Sequence, residues 1–277
     1  MRFFLGFALL LTGLAWPLAF ARVAAAQSCH MAPPPTHTGD AAVDQAFRAS
    51  LGSVFASYRN DFGEGEYQGL SAAFAYQHPW VFAGASLPGY RLERNGEART
   101  ELGDVGLEVR GTAYRDAESG FEAGLGVAAT FPTGNEKFGF GMGHTMLMPG
   151  FWLSVTRELF VLRLEVNYGR AIGGSHHGAH AGHVGHGPLA GSIVQPMNAS
   201  ELEHGISLAL LVHPNMRGTA RLFGAVPVAD EHGQAREIVA FGLQGILGRW
   251  DLGLEAQIPV LGSPFVARTL LALGVEW

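Results

Sequence analysis

Residues 104–114 read DVGLEVRGTAY, and the alternation in this stretch decides the fold. Val105, Leu107, Val109 and Ala113 fall on one face; Glu108, Arg110 and Thr112 fall on the other. Strict period two over this length describes a strand with two unlike faces. The pattern recurs at 121–131 (FEAGLGVAATF), 161–168 (VLRLEVNY) and 250–258 (WDLGLEAQI). In each, one face is apolar or aromatic, and the other carries charge or glycine. Weaker strands are expected near 48–58, 67–77, 80–90, 146–155, 200–213, 217–226, 236–248 and 266–277. About twelve strands result, the even number expected of single-chain bacterial barrels.

The connections alternate in length. Short links lie at 77–80, 115–120, 156–159, 213–218 and 248–249; longer ones lie near 59–66, 91–103, 132–145, 169–199, 227–235 and 259–265. Short turns at one end and long loops at the other are the outer-membrane plan. A soluble barrel would wet its outer face and fill its interior with apolar side chains. Charge confined to one face of long strands reads instead as apolar-out and polar-in. No segment after the first 26 residues approaches the roughly 18–20 apolar residues of a spanning helix. A membrane protein of this sequence must therefore be a closed barrel, because open sheet edges cannot face lipid.

The two ends fit an exported chain. Residues 1–26 read as a cleaved signal peptide: Arg2 before an apolar run, and Ala24-Ala25-Ala26 before Gln27. Residues 27–44 form a Pro-rich periplasmic lead-in, and 45–277 form the barrel. The last segment, TLLALGVEW at 269–277, places Leu271, Leu273, Val275 and Trp277 on one face. It is expected to present itself to the outer-membrane assembly machinery. Loss of residues 1–26 removes Arg2 and Arg22 and leaves 16 basic against 24 acidic residues, a formal charge of −8. No basic patch points to nucleic acid. A single cysteine, Cys29, excludes an intramolecular disulfide framework. Ala26-Gln27-Ser28 is a poor lipoprotein cleavage box before it.

Three segments carry a family resemblance. ELGDVGLEVRGTAYRD at 101–116, GLGVAATFPTGN at 124–135 and GHTMLMPGFWLSVTREL at 143–159 together cover under a quarter of the chain. They resemble motifs of a family of outer-membrane channels named for the meta-cleavage pathway of phenol degradation. Phe131 stands where the family usually has Leu before the PTG turn. The resemblance implies an all-β transmembrane barrel and an outer-membrane transporter. It does not identify the cargo.

Two sets of residues are candidates for function. The first is metal-directed. GSHHGAHAGHVGHG at 174–187 holds His176, His177, His180, His183 and His186, five histidines within eleven residues. Neutral imidazoles on a flexible backbone suit Cu, Zn or Ni, bound transiently; no cofactor is required. Cys29, His30 and Met31 add a thiolate, an imidazole and a thioether, a set suited to Cu(I). Met142, His144, Met146 and Met148 form a further soft cluster at the edge of a strand. The second set is the polar strand face, assigned to the lumen: Glu108, Arg110, Glu122, Arg163, Glu165, Glu203, Arg221, Asp251, Glu255 and Arg268.

The expected function is an outer-membrane channel for small solutes. Transition-metal ions captured by the His-rich extracellular loop are the leading cargo. Two alternatives stay open: a closed barrel that only displays a metal-binding surface, and a channel for small hydrophobic or aromatic compounds. Candidate bases His78, His204 and His213, and candidate nucleophiles Ser71, Ser86 and Ser207, stand in no recognisable catalytic motif.

Overall fold

The computed structural model describes residues 46–60, 63–94, 96–173, 193–194, 197–228, 233–262 and 265–277. The expected signal peptide, the expected lead-in with Cys29, His30 and Met31, and the five histidines at 176–186 lie outside the described residues.

The chain runs as a meander. Its strands are β1 (Ala46–Asn60), β2 (Gly63–His78), β3 (Val81–Arg94), β4 (Glu97–Leu102), β5 (Val105–Asp116), β6 (Phe121–Phe131) and β7 (Thr145–Thr156). They continue as β8 (Phe160–Ile172), β9 (Ser200–His213), β10 (Met216–Pro227), β11 (Arg236–Leu247), β12 (Trp250–Leu261) and β13 (Phe265–Glu276). Neighbours pair antiparallel throughout, and β1 pairs with β13 to close the sheet. At the seam, Phe47 and Trp277 exchange backbone hydrogen bonds of 3.0 Å in both directions. β4 and β5 are two parts of one stave, both paired with β3 and separated at Gly103 and Asp104. The result is a closed twelve-stave antiparallel barrel. Both ends of β1–β13 lie with the short turns, and the longer connections gather at the opposite, extracellular end.

The inner and outer faces follow the alternation. Leu125, Phe241, Leu252, Leu254, Ile258 and Val260 stand on the outside, between 47% and 66% exposed. Phe47, Trp80, Tyr114, Trp250 and Trp277 are half-exposed near the short-turn end, an aromatic girdle of the kind that marks a membrane interface. Inside, Glu108, Arg110, Arg163, Glu203 and Arg268 are buried. An apolar band outside a charged interior is stable in lipid, where each backbone polar group must already be paired. This barrel therefore belongs in an outer membrane.

Two details differ from the sequence reading. Residues 59–66 and 91–103, expected as loops, are mostly strand: only 61–62 separate β1 from β2, and β3 continues to 94 and returns as β4. A register shift also falls between Thr112 and Tyr114, so Ala113 drops out of the ladder and Tyr114 joins the outer face at 55% exposure. The first difference has a physical cause. Beyond the membrane the polarity of the wall reverses: Tyr67, Tyr90 and Leu92 point inward and are buried, while Gln68, Arg91 and Glu93 are exposed. On β2 and β3 the upper wall thus follows the rule for a soluble barrel, whereas on β9–β12 Glu201 and Arg236 stay buried and Leu202, Val226 and Leu261 stay exposed.

A charge on the outer band should be costly. Leu254→Arg is expected to destabilise the folded barrel by about 2–4 kcal/mol. Urea titration in lipid vesicles would measure this, and Glu158→Gln, in an exposed turn, would serve as a neutral control.

Candidate functional site

The interior of the barrel is lined by ion pairs that bridge staves. On one wall Arg110 of β5 pairs with Glu108 and reaches Glu165 of β8 at 3.3 Å, and Glu165 also pairs with Arg163. β6 and β7 lie between, and the row Arg110–Gly126–Gly150–Asn167 explains the reach. A Cβ at Gly126 would sit 3.0 Å from Arg110 Cγ, so glycine leaves the guanidinium room to lie across the wall. Trp152 of β7 lies 4.8 Å beneath the Arg163 guanidinium, a cation–π contact. On the opposite wall Arg221 meets Glu255 at 3.1 Å, Gln257 donates to Glu255 at 2.5 Å, and Arg268 donates to Gln257 at 2.7 Å. Towards the short-turn end, Arg48 pairs with Asp251 and Arg115 with Glu122, both at 2.5 Å. Of the ten polar residues expected in the lumen, Glu108, Arg110, Arg163, Glu203 and Arg268 are buried, and most of the ten are engaged with a partner of opposite charge.

The extracellular mouth is built differently. Tyr58, Tyr67, Tyr90, Leu92, Phe223, Ile238, Phe265 and their neighbours form a buried apolar cluster on the inner face. Two connections fill it. Phe140, from the segment between β6 and β7, is 0% exposed; Ile193 and Val194, from the segment between β8 and β9, are 2% and 1% exposed. The two segments bond to each other: Ile193 N–H donates to the Gly139 carbonyl at 3.1 Å. Phe138 packs on the same cluster, with the Arg99 guanidinium 3.6 Å over its ring. A plug of loop residues thus occupies the mouth.

One side chain fastens the plug. Asp104, at the break between β4 and β5, is 1% exposed. Its Oδ1 accepts from Gly134 N–H at 2.9 Å and its Oδ2 from Met142 N–H at 2.8 Å. Thr133 Oγ1 donates to the Gly103 carbonyl at 2.7 Å and accepts from Val105 N–H at 3.0 Å. Asn135 Oδ1 caps a short 3-10 turn at Glu136–Phe138. The inward segment folds back on itself so closely that a Cβ at Gly134 would meet the Phe140 carbonyl oxygen at 2.5 Å. Two of the sequence motifs, ELGD at 101–104 and PTGN at 132–135, are therefore the two halves of one latch. Burial raises the Asp104 pKa above its ordinary value, opposed by the backbone N–H groups it accepts from. The sequence reading did not assign Asp104. An acid beside glycine at a strand break, followed by a PTG turn, was the available signal.

A second polar knot joins the plug to the wall. Glu201 is fully buried and takes a bidentate pair from Arg236 at 2.8 and 2.6 Å. Asn198 donates to Glu201 from both its backbone N–H (2.8 Å) and its side chain (2.7 Å). Glu203 lies beside this knot, also buried, with Arg236 at 3.9 Å.

Of the expected metal ligands, Met142, His144, Met146 and Met148 lie among the described residues. Met142 packs against a buried cluster of Met146, Met148 and Met197. His144 is adjacent, half-buried, and its Nε2 is buried with no hydrogen-bond partner. Burial lowers its pKa from the ordinary value of 6.5, so the ring is held neutral. Among the described residues, no three His, Cys, Asp or Glu side chains assemble as a metal set. His78 and His213 have turn roles: their Nδ1 atoms accept from Trp80 and Asn215 N–H at 3.2 and 3.4 Å. His204 pairs with Glu237 on the outer face at 2.8 Å.

Solved structures of the same fold are known. An outer membrane channel from Pseudomonas putida F1 superposes with a TM-score of 0.65 at 11% identity, covering 89% of this chain and 100% of that one. The translocator domain of the autotransporter NalP from Neisseria meningitidis superposes with a TM-score of 0.50 at 14% identity, covering 87% and 90%. At these identities the likeness establishes the barrel fold. No protein-family model and no curated protein sequence matches the chain.

Removing the latch should open the mouth. Asp104→Ala strands two N–H groups, each costing about 1–3 kcal/mol if left unpaired. Single-channel recordings in planar bilayers are expected to show the open fraction rise about tenfold or more, with the folded barrel retained on unheated gels.

Proposed function

We propose that this protein is an outer-membrane channel for small solutes, held shut at its mouth by two inward-folded loop segments. The observation that carries the reading is the pairing of a charged inner wall with a plug that is bound by a few named contacts rather than by the strand ladder. Backbone ladders do not open without breaking the barrel. A segment held by Asp104, Asn198 and a patch of apolar contacts does. The structural likeness to an outer membrane channel agrees with this.

For the cargo, we propose transition-metal ions, Cu, Zn or Ni. The support is the histidine run at 176–186 and its covalent position. That run lies in the connection whose far end supplies Ile193, Val194, Met197 and Asn198 to the plug. Ion capture by the loop would pull on the segment that closes the pore. The test is liposome flux of Zn²⁺ or Cu²⁺ against an uncharged sugar. Replacing His176, His177, His180, His183 and His186 by Ala is expected to lower metal flux and leave sugar flux unchanged. Equal metal flux before and after would remove the metal reading.

A second cargo has its own support. The aromatic lining of the mouth, with Tyr58, Tyr67, Tyr90, Phe223 and Phe265, offers apolar surface to a small hydrophobic or aromatic compound. Faster uptake of such a compound than of the sugar, with no metal flux, would favour it. A barrel with no conductance even as Asp104→Ala would instead be a metal-binding surface protein.

A further inference from the structure

The polar-in rule leaves one feature of the inner wall unexplained. Met146 and Met148 project from β7 into the interior and are 0% and 2% exposed. Met197, from the end of the β8–β9 connection, is 1% exposed and contacts them, and Met142 packs on the group from the β6–β7 segment. Four of the seven methionines in the chain thus come together from three separate segments. Where simple filling is wanted, Leu and Ile specify a core better than Met, whose chain is flexible. Here the group sits beside buried carboxylates, not in the aromatic cluster that fills the rest of the mouth.

His144 supplies the second observation. Its imidazole hydrogen-bonds the Met142 backbone, while Nε2 is buried and partnerless. A ligating histidine characteristically uses one ring nitrogen on a backbone carbonyl and turns the other to the metal. An unsatisfied buried nitrogen is costly unless something occupies it. Glu136 and Glu201 act on this ring electrostatically and favour a positive charge near it.

We infer that Met142, Met146, Met148 and Met197, with His144, form a binding site for a soft monovalent metal ion at the mouth of the barrel. Neutral thioethers select soft, weakly hydrated ions of the Cu(I) and Ag(I) class over Zn²⁺. The site joins both plug segments to β7, so an ion bound there would bridge the elements that close the pore. This deepens the proposed metal cargo and rests on it for its physiological meaning. The site itself needs no transport to be demonstrated.

The test uses the mature full-length barrel in detergent micelles, with Met methyl groups labelled with ¹³C. Cys29→Ser, Met31→Leu and the five loop His→Ala changes remove competing ligands. Ag⁺ serves as a redox-inert probe, and Zn²⁺ as the comparison. The methyl resonances of Met142, Met146, Met148 and Met197 are expected to shift together and saturate with a single silver ion. Met216, the first residue of β10 at the far end of the barrel, should not move. Zn²⁺ should leave all of them in place. Met148→Leu preserves volume, and folding is checked by gel migration; it should weaken silver binding about tenfold or more. Unmoved resonances at the four positions, shifts equal to those of Met216, or full affinity in Met148→Leu would each overturn the site. A barrel that binds silver here but conducts nothing even as Asp104→Ala would overturn the channel reading and leave the site standing.

Discussion

Every backbone N–H and C=O in hydrocarbon must find its partner within the protein. The β1–β13 seam meets that constraint, and the rest of the architecture follows from it. Once the sheet is closed there is no edge, and each stave has one face towards lipid and one towards the interior. Leucine and phenylalanine collect on the first face and charged residues on the second. A charge that faced lipid at mid-membrane would cost a few kcal/mol, so arginines and glutamates were confined inside, where they pair across staves. The Arg110–Glu165 bridge over Gly126 and Gly150 shows how far that pairing extends: two staves give up their side chains to let it pass.

The same constraint lapses above the membrane, and the wall of β2 and β3 reverses there. Around Tyr67, Tyr90 and Leu92 the barrel encloses an apolar core and turns Arg91 and Glu93 to water. That core is completed by Phe140, Ile193 and Val194 from two connections. Plug and wall are therefore parts of one small hydrophobic core placed on top of a polar lumen. The lumen is ion-paired and stiff. The plug is held by Asp104, Asn198 and apolar packing, the weaker set of contacts, and it is the part of the molecule best suited to move.

The barrel was legible in the sequence because period two persists wherever lipid and lumen demand opposite polarities. The strands at 104–114, 121–131, 161–168 and 250–258 carry that contrast fully. It fails at 91–103, where Arg91 and Glu93 face water around a buried Leu92 and β4 is exposed almost throughout; there the chain reads as a loop. The lumen residues were legible for the same reason as the strands. The latch was not. Asp104 looks in sequence like the first residue of a strand, and its partners Gly134 and Met142 are about 30 and 38 residues away. Such a contact depends on two turns meeting at one end of the barrel, which no local pattern encodes. Met197 was missed likewise: its companions on β7 were recognised as a soft cluster, but the segment that brings it back was read as part of the histidine loop.

The claim on which the account rests is that one face of each stave meets lipid and the other meets a polar interior. Single cysteines placed in turn from Leu252 to Gln257 on β12, in a Cys29→Ser background, and labelled with a fluorophore in vesicles, test it most directly. The account predicts that labels at Leu252, Leu254 and Ala256 are quenched by brominated lipid, while those at Gly253, Glu255 and Gln257 are not. Equal quenching at all six positions, or the opposite alternation, would contradict it.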